Sequence, residues 1–136
     1  MLSMYPACFY KEKEGGYSVI FPGLEIATCG NDLNEAMNMA IDCLAGYLYE
    51  LKLGREPAPK PLTLESVNVD DEYDEYESAF VNMVAVDVEE YAKKHFEKSV
   101  KKTLTIPSWL NDLAIENGVN FSQVLQTALK EQLHVN

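Results

Sequence analysis

The last third of the chain, VKKTLTIPSWLNDLAIENGVNFSQVLQTALKEQL from Val100 to Leu133, contains one strand-like run and no second run for it to pair with. Lys101-Lys102-Thr103-Leu104-Thr105-Ile106 alternates as a strand with two unlike faces should. Pro107 stops it, and Ser108 is positioned to cap a helix carrying Leu110, Leu113 and Ala114 on one side. Asn117-Gly118 ends that helix, since glycine enters the left-handed region without strain. Asn120 and Gln123 form a capping box for a second helix, with Phe121, Val124, Leu125, Ala128, Leu129 and Leu133 on one stripe. A lone strand leaves backbone groups unsatisfied on both edges, and a segment of about forty residues rarely buries enough core alone. The pattern therefore predicts a twofold dimer, with two strands in an antiparallel ribbon and four helices interlocked.

A two-stranded ribbon fits the major groove of DNA. The spacing resembles the ribbon-helix-helix DNA-binding family, which has a proline after the strand and a G-x-[NST] turn between the helices, here Gly118-Val119-Asn120. With Leu104 and Ile106 inward, Lys101, Thr103 and Thr105 face outward and match the base-reading positions of that family. The amides of Asn120, Phe121 and Ser122, at the start of the second helix, are placed to hold a phosphate. A helical dimerisation module with no DNA target is the competing reading.

Charge divides the chain in the same place. Net charge is −11, but residues 1–91 hold 18 acids and 5 bases while residues 92–136 hold 4 acids and 6 lysines. An acidic part suited to a cationic partner is joined to a mildly basic part suited to an anionic one. Acidity that serves solubility alone is the plainer alternative. No apolar run approaches a membrane span, and residues 1–10 lack a signal peptide's basic start, so a cytoplasmic location is expected. Cys8, Cys29 and Cys43 are odd in number and lack C-x-x-C spacing, which predicts reduced and mostly buried thiols.

The first fifty residues read strand, turn, strand, strand, helix. Ser3–Tyr10 and Tyr17–Phe21 flank a Glu14-Gly15-Gly16 turn, and Ile26–Cys29 is a short third strand closed by Gly30. Asp32 caps a long helix, with Glu35 completing a capping box and Gly54 ending it. Leu33, Met37, Ala40, Ile41, Leu44, Leu48 and Leu51 recur at helical spacing and should face the sheet. Pro57, Pro59 and Pro61 make a stiff connection, after which Leu62–Leu64 and Val67–Val69 are candidate edge strands. Asp70–Glu77 packs six acids and two tyrosines into eight residues without EF-hand spacing, and is expected to be a solvated loop rather than an arm laid on a basic partner. Phe80–Val88 is an apolar strand, and Tyr91–Phe96 a turn or two of helix.

Tyr5-Pro6-Ala7, Gly15-Gly16-Tyr17-Ser18-Val19, Phe21-Pro22-Gly23-Leu24 and the helix start at Gly30–Ala36 resemble the N-terminal domain of HicB antitoxins. Val86–Tyr91 through Thr103–Pro107 resembles the joint between that family's two domains. The resemblance implies an α+β protein: a reduced RNase H-like sheet with one long helix at residues 1–90, a linker at 91–99, and a dimeric ribbon-helix-helix domain at 100–136. It also implies two partners, a small basic HicA-type mRNA-cleaving toxin and operator DNA, with self-association through the C-terminal domain. Residues 1–90 by themselves are expected to be monomeric.

A catalytic role is not expected. An RNase H-type nuclease clusters carboxylates around two metal ions and draws an essential acid from its first strand, and Ser3–Tyr10 has none. Asp42 and Asp87 have no clear third acid, His95 and His134 have no evident acid partner, and no P-loop, G-x-S-x-G or zinc spacing occurs. No cofactor or metal is expected. The other readings are a ribbon-helix-helix repressor whose N-terminal domain senses a small ligand or metal, and a degenerate nuclease.

Overall fold

The structure is a computed structural model and describes residues 1–97 and 99–136. The chain divides into two compact units, Met1–Lys98 and Ser99–Asn136.

Unit 1 is built on β1 (Ser3–Lys11), whose residues from Tyr5 to Tyr10 are all buried. A strand buried on both faces needs cover on both. β2 (Tyr17–Phe21) and β3 (Ile26–Gly30) follow as an antiparallel meander, and β4 (Ser78–Val86) returns antiparallel on the other side of β1, giving the order β3-β2-β1-β4. Pro6 sits in this central strand without breaking it. β1 pairs with β2 only from Cys8 to Lys11, so the side of Pro6 that lacks an N–H faces past the end of β2.

Helix α1 (Leu33–Leu53) covers one face. Asp32 Oδ1 accepts the Glu35 amide at 2.8 Å, and Glu35 reaches back to the Asn31 amide at 3.3 Å. Its buried positions are Ala36, Ala40, Leu44, Ala45 and Leu48. Leu33, expected on that stripe, is the first residue of the helix and is instead 43% exposed. Of the two alanines absent from the predicted stripe, Ala36 and Ala45, the first is explained by close approach. A Cβ on Gly30 would lie 2.4 Å from the Ala36 nitrogen, so the helix rests on β3 where neither side has bulk.

The other face is covered by the connection between α1 and β4. On that face the Tyr10 hydroxyl donates to the Val69 carbonyl at 2.6 Å, whereas Tyr5 lies on the α1 face with Ala7 and Phe9 and donates to the Pro59 carbonyl. The edge strands expected at Leu62–Leu64 and Val67–Val69 do not form. Single 3₁₀ turns occupy Leu64–Ser66 and Val69–Asp71. Local bonds win there: Asn68 Oδ1 accepts the Asp70 amide at 3.0 Å, and the Thr63 carbonyl accepts both the amide and hydroxyl of Ser66.

Helix α2 (Val88–His95), capped by Asp87, belongs to unit 1, where it packs on α1. Tyr91 donates to Asp42 at 2.8 Å, Lys52 pairs with Glu89 at 2.9 Å, and Phe96 lies 5.4 Å from the Tyr49 ring. The first half of the expected linker is therefore docked helix. The three cysteines are free thiols, but Cys29 is exposed, since it shares with Ala27 the face of β3 opposite the core residue Ile26.

Unit 2 consists of residues 99–107 without helix or strand, then α3 (Ser108–Glu116) and α4 (Phe121–Leu133). Ser108 is not the cap of α3. Pro107, with ψ of 141°, is the extended residue before the helix, so Ser108 already has helical geometry. Gly118 has φ of +66° between the helices, as a reversal there requires.

Two glycines should respond in opposite directions. Gly30→Ala forces a Cβ into backbone and should destabilise by about 3 kcal/mol. Gly46→Ala lies inside α1 with nothing nearer its new Cβ than Phe96 Cζ at 4.0 Å, and should stabilise by about 0.5–1 kcal/mol. Urea unfolding midpoints at unchanged slope check both.

Candidate DNA and partner surfaces

In unit 2, residues 101–106 are exposed throughout. Lys101, Thr103 and Thr105 are among them, as is Leu104 at 63%, and Trp109 in α3 is 68% exposed. Leu104 and Ile106, together with Phe121, Val124, Leu125 and Ala128, line an open hollow of about 500 Å³. Lys102, in phase with Leu104 and Ile106, borders the same hollow, while Lys101, Thr103 and Thr105 do not. The alternation read from the sequence thus separates an apolar side of this segment from a polar side. The stripe of α4 is present but largely uncovered: of its residues only Leu125 is half-buried and the rest are exposed.

At the start of α4, Asn120 Oδ1 accepts the Gln123 amide at 3.1 Å. That bond is the cap read from the Asn120/Gln123 spacing. Among the described residues, the amides of Asn120, Phe121 and Ser122 have no protein acceptor, and all three residues are exposed. The free amides and the positive end of the helix dipole suit an anion.

In unit 1, the loop 70–77 is exposed at every carboxylate and half-buried at Tyr73 and Tyr76. Those two rings lie 5.2 and 5.3 Å from Tyr10, and Tyr73 donates to Glu12 at 2.9 Å while Tyr76 donates to Asp70. The loop is solvated as expected, but it is also pinned to the sheet by a tyrosine cluster. No local sequence signal marks that cluster, since Tyr10 lies some sixty residues upstream of both its partners. The result is a fixed acidic surface that includes Glu12, Glu14 and Glu75 beside a hollow of about 340 Å³.

Asp42 and Asp87 are both engaged structurally. Asp42 accepts the Tyr91 hydroxyl, and Asp87 caps α2 and lies 3.0 Å from the Met1 ammonium, which together hold its carboxyl below the usual range. Among the described residues, no group of three or more His, Cys, Asp or Glu is placed to hold a metal ion. No helix among them is long and apolar enough to cross a membrane.

Residues 5–128 match a family described as the HicB_like antitoxin of bacterial toxin-antitoxin systems. The chain belongs to the HicB-like antitoxin family. Among solved structures, this HicB-like chain is similar to one in a toxin–antitoxin complex from Streptococcus pneumoniae, at 34% identity and a TM-score of 0.63, covering 97% of this chain and 99% of that one. It is also similar to antitoxin HicB3 at 25% identity, TM-score 0.50, covering 96% and 97%. The HicB antitoxin of Burkholderia pseudomallei, at 20% identity, TM-score 0.50 and 96% coverage of both chains, shares the fold. No curated protein matches.

Burial pushes up the hydroxyl pKa of Tyr10, helped by Cys8, and that of Tyr91 to about 12, helped by its bond to Asp42. A raised folded-state pKa contributes stability that is complete below the unfolded value near 10 and is lost as pH rises through the folded value. Stability should therefore fall between pH 10 and 12, with tyrosinate absorbance at these two residues appearing together with unfolding. Tyr91→Phe should reduce the slope of stability against pH across that window.

Proposed function

We propose that this antitoxin neutralises a small basic HicA-type toxin through residues 1–90 and represses its own operon through residues 100–136, with residues 91–99 joining the two parts in the cytoplasm. The observation that carries the reading is the family match across both parts of the chain, residues 5–128. The similar chain in the Streptococcus pneumoniae toxin–antitoxin complex supports a toxin partner. A surface of fixed carboxylates, on a part of the chain with 18 acids and 5 bases, supports a cationic one. The sheet meander followed by one long helix supports the reduced RNase H-like reading of this part, used for binding and not for catalysis.

For the C-terminal part we infer a ribbon-helix-helix dimer. Leu104, Ile106 and the stripe of α4 are uncovered in a single chain, and a second copy would cover them while its strand pairs with residues 101–106. In that dimer Lys101, Thr103 and Thr105 enter the major groove. A lysine favours the acceptors of guanine, and threonine hydroxyls meet either a donor or an acceptor. The free amides of Asn120, Phe121 and Ser122 hold a backbone phosphate.

Replacing Lys101 and Thr103 together by Ala should abolish operator binding in a mobility-shift assay while leaving toxin rescue in cells intact. Loss of both functions would mean that they are not separable. With so few lysines beside the groove, the slope of log affinity against log salt should be shallow, no steeper than about −4. A cationic toxin docked on residues 1–90 offsets the repulsion between this acidic part and DNA, so operator affinity should rise when toxin is added. The gain should shrink as salt is raised, which a titration at two ionic strengths reads directly.

A further inference from the structure

Asn117 is the only asparagine in the chain that is followed by glycine. In that pair an asparagine side chain is most open to attack by its own backbone, because glycine has no Cβ to screen the amide nitrogen. Both residues are exposed, and a Cβ placed on Gly118 would meet no atom within 4 Å. The folded turn nevertheless holds the reacting groups apart. A ψ of 7° at Asn117 turns the Gly118 nitrogen away from the Asn117 side chain. The Gly118 N–H donates to the Ile115 carbonyl at 3.0 Å, and Asn117 Nδ2 donates to the Leu113 carbonyl at 2.7 Å. Little packing backs these bonds, since neither α3 nor α4 has a buried residue. Segments with so few buried contacts open at low cost.

We propose that Asn117–Gly118 is a self-modification site, unlocked when the α3–α4 turn opens, at which the chain exchanges a neutral carboxamide for a carboxylate. On opening, the Gly118 nitrogen passes its proton to solvent hydroxide and forms a bond to Asn117 Cγ. The Cγ–Nδ2 bond breaks, and Nδ2 leaves as ammonia with a proton taken from water. A cyclic imide remains, and water opens it. Breaking the bond between Cγ and the Gly118 nitrogen gives an ordinary aspartate. Breaking the bond between that nitrogen and the main-chain carbonyl carbon of residue 117 gives an iso-aspartate, whose main chain runs through Cβ and Cγ. The sum is one water consumed and one ammonia released, with no oxidation or reduction.

Either product puts a negative charge where the surroundings oppose it. Residue 117 stands at the negative end of α3, next to Glu116. It also precedes the amides of Asn120, Phe121 and Ser122, which have no protein acceptor and suit an anion. Its Cα is no more than about 11 Å from that of Asn120. A phosphate on those amides therefore meets a repulsion that salt screens only in part. The iso-aspartate further adds one carbon to the main chain inside the reversal, where Gly118 and Val119 donate to Ile115 and Ala114. The loss of phosphate affinity rests on the DNA-binding reading above, whereas the modification itself does not.

The test ages the full chain in mildly alkaline buffer, native and in guanidinium chloride, and maps the products by peptide mass spectrometry with enzymatic methylation of iso-aspartate. Residue 117 should convert in the native chain, and about ten-fold or more faster in denaturant. Asn117→Gln, whose longer side chain closes a less favourable ring, should leave the position unchanged. No conversion at 117 in the native chain, equal rates in the two conditions, or faster conversion at another asparagine would overturn the site. In a mobility-shift assay, fresh Asn117→Asp should bind operator about three-fold or more weaker than the parent chain, the difference shrinking as salt is raised. Asn117→Ser, which loses the carboxamide without gaining charge, should bind as the parent does, with circular dichroism confirming the fold of both variants. Parental affinity in folded Asn117→Asp, or an equal loss in Asn117→Ser, would overturn the effect on phosphate. A parent chain that binds no operator fails the DNA-binding reading instead, and conversion at 117 still decides the site.

Discussion

Burial of β1 on both faces is the constraint from which the N-terminal unit follows. Six consecutive residues, Tyr5 to Tyr10, have no face left for solvent, so the chain must lay one layer on each side. One layer is α1, held close by Gly30, Ala36 and Ala40. The other is an irregular connection, and an irregular layer needs polar anchors, because its backbone makes no ladder of its own. Tyr10 supplies one by donating to the carbonyl of Val69. Tyr73 and Tyr76 then extend the same contact under the acidic loop. The loop's carboxylates are thus presented from a fixed base, which lowers the ordering entropy a partner must supply on binding.

The C-terminal unit shows the opposite condition. Its local signals are satisfied: Asn120 caps α4, Gly118 turns the chain, and Asn117 closes α3. What it lacks is cover for Leu104, Ile106 and the apolar stripe of α4. Helices of nine and thirteen residues draw most of their stability from tertiary packing. The ribbon proposed for residues 101–106 addresses this deficit, since backbone and apolar surface left open in one chain are closed by another copy.

Elements specified by neighbours in sequence were legible. β2 begins and ends at the residues read for it, α1 starts behind the Asp32 cap, and Asn117-Gly118 and Asn120 bound the C-terminal helices. Each depends on turn chemistry or a cap within three or four residues. The misreadings share a different cause. Leu62–Leu64 and Val67–Val69 have strand-like composition, but side-chain bonds from Asn68 and Ser66 to nearby backbone settle them as turns. Leu33 has the period of the helix stripe, yet as the first residue of α1 it is left exposed. Ser108 is a good cap residue displaced by the extended Pro107 before it.

The sequence by itself determined the division into an acidic and a mildly basic part, the order of β1, β2, β3 and α1, and the family, because charge, caps and hydrophobic period are local properties. Tertiary structure alone decided that β4 lies antiparallel against β1, that α2 is docked by the Tyr91–Asp42 bond, and that Tyr10 gathers Tyr73 and Tyr76. These contacts join residues about fifty to eighty positions apart. Their partners are selected by which surfaces remain uncovered after the local elements have formed, and no window of sequence contains that information.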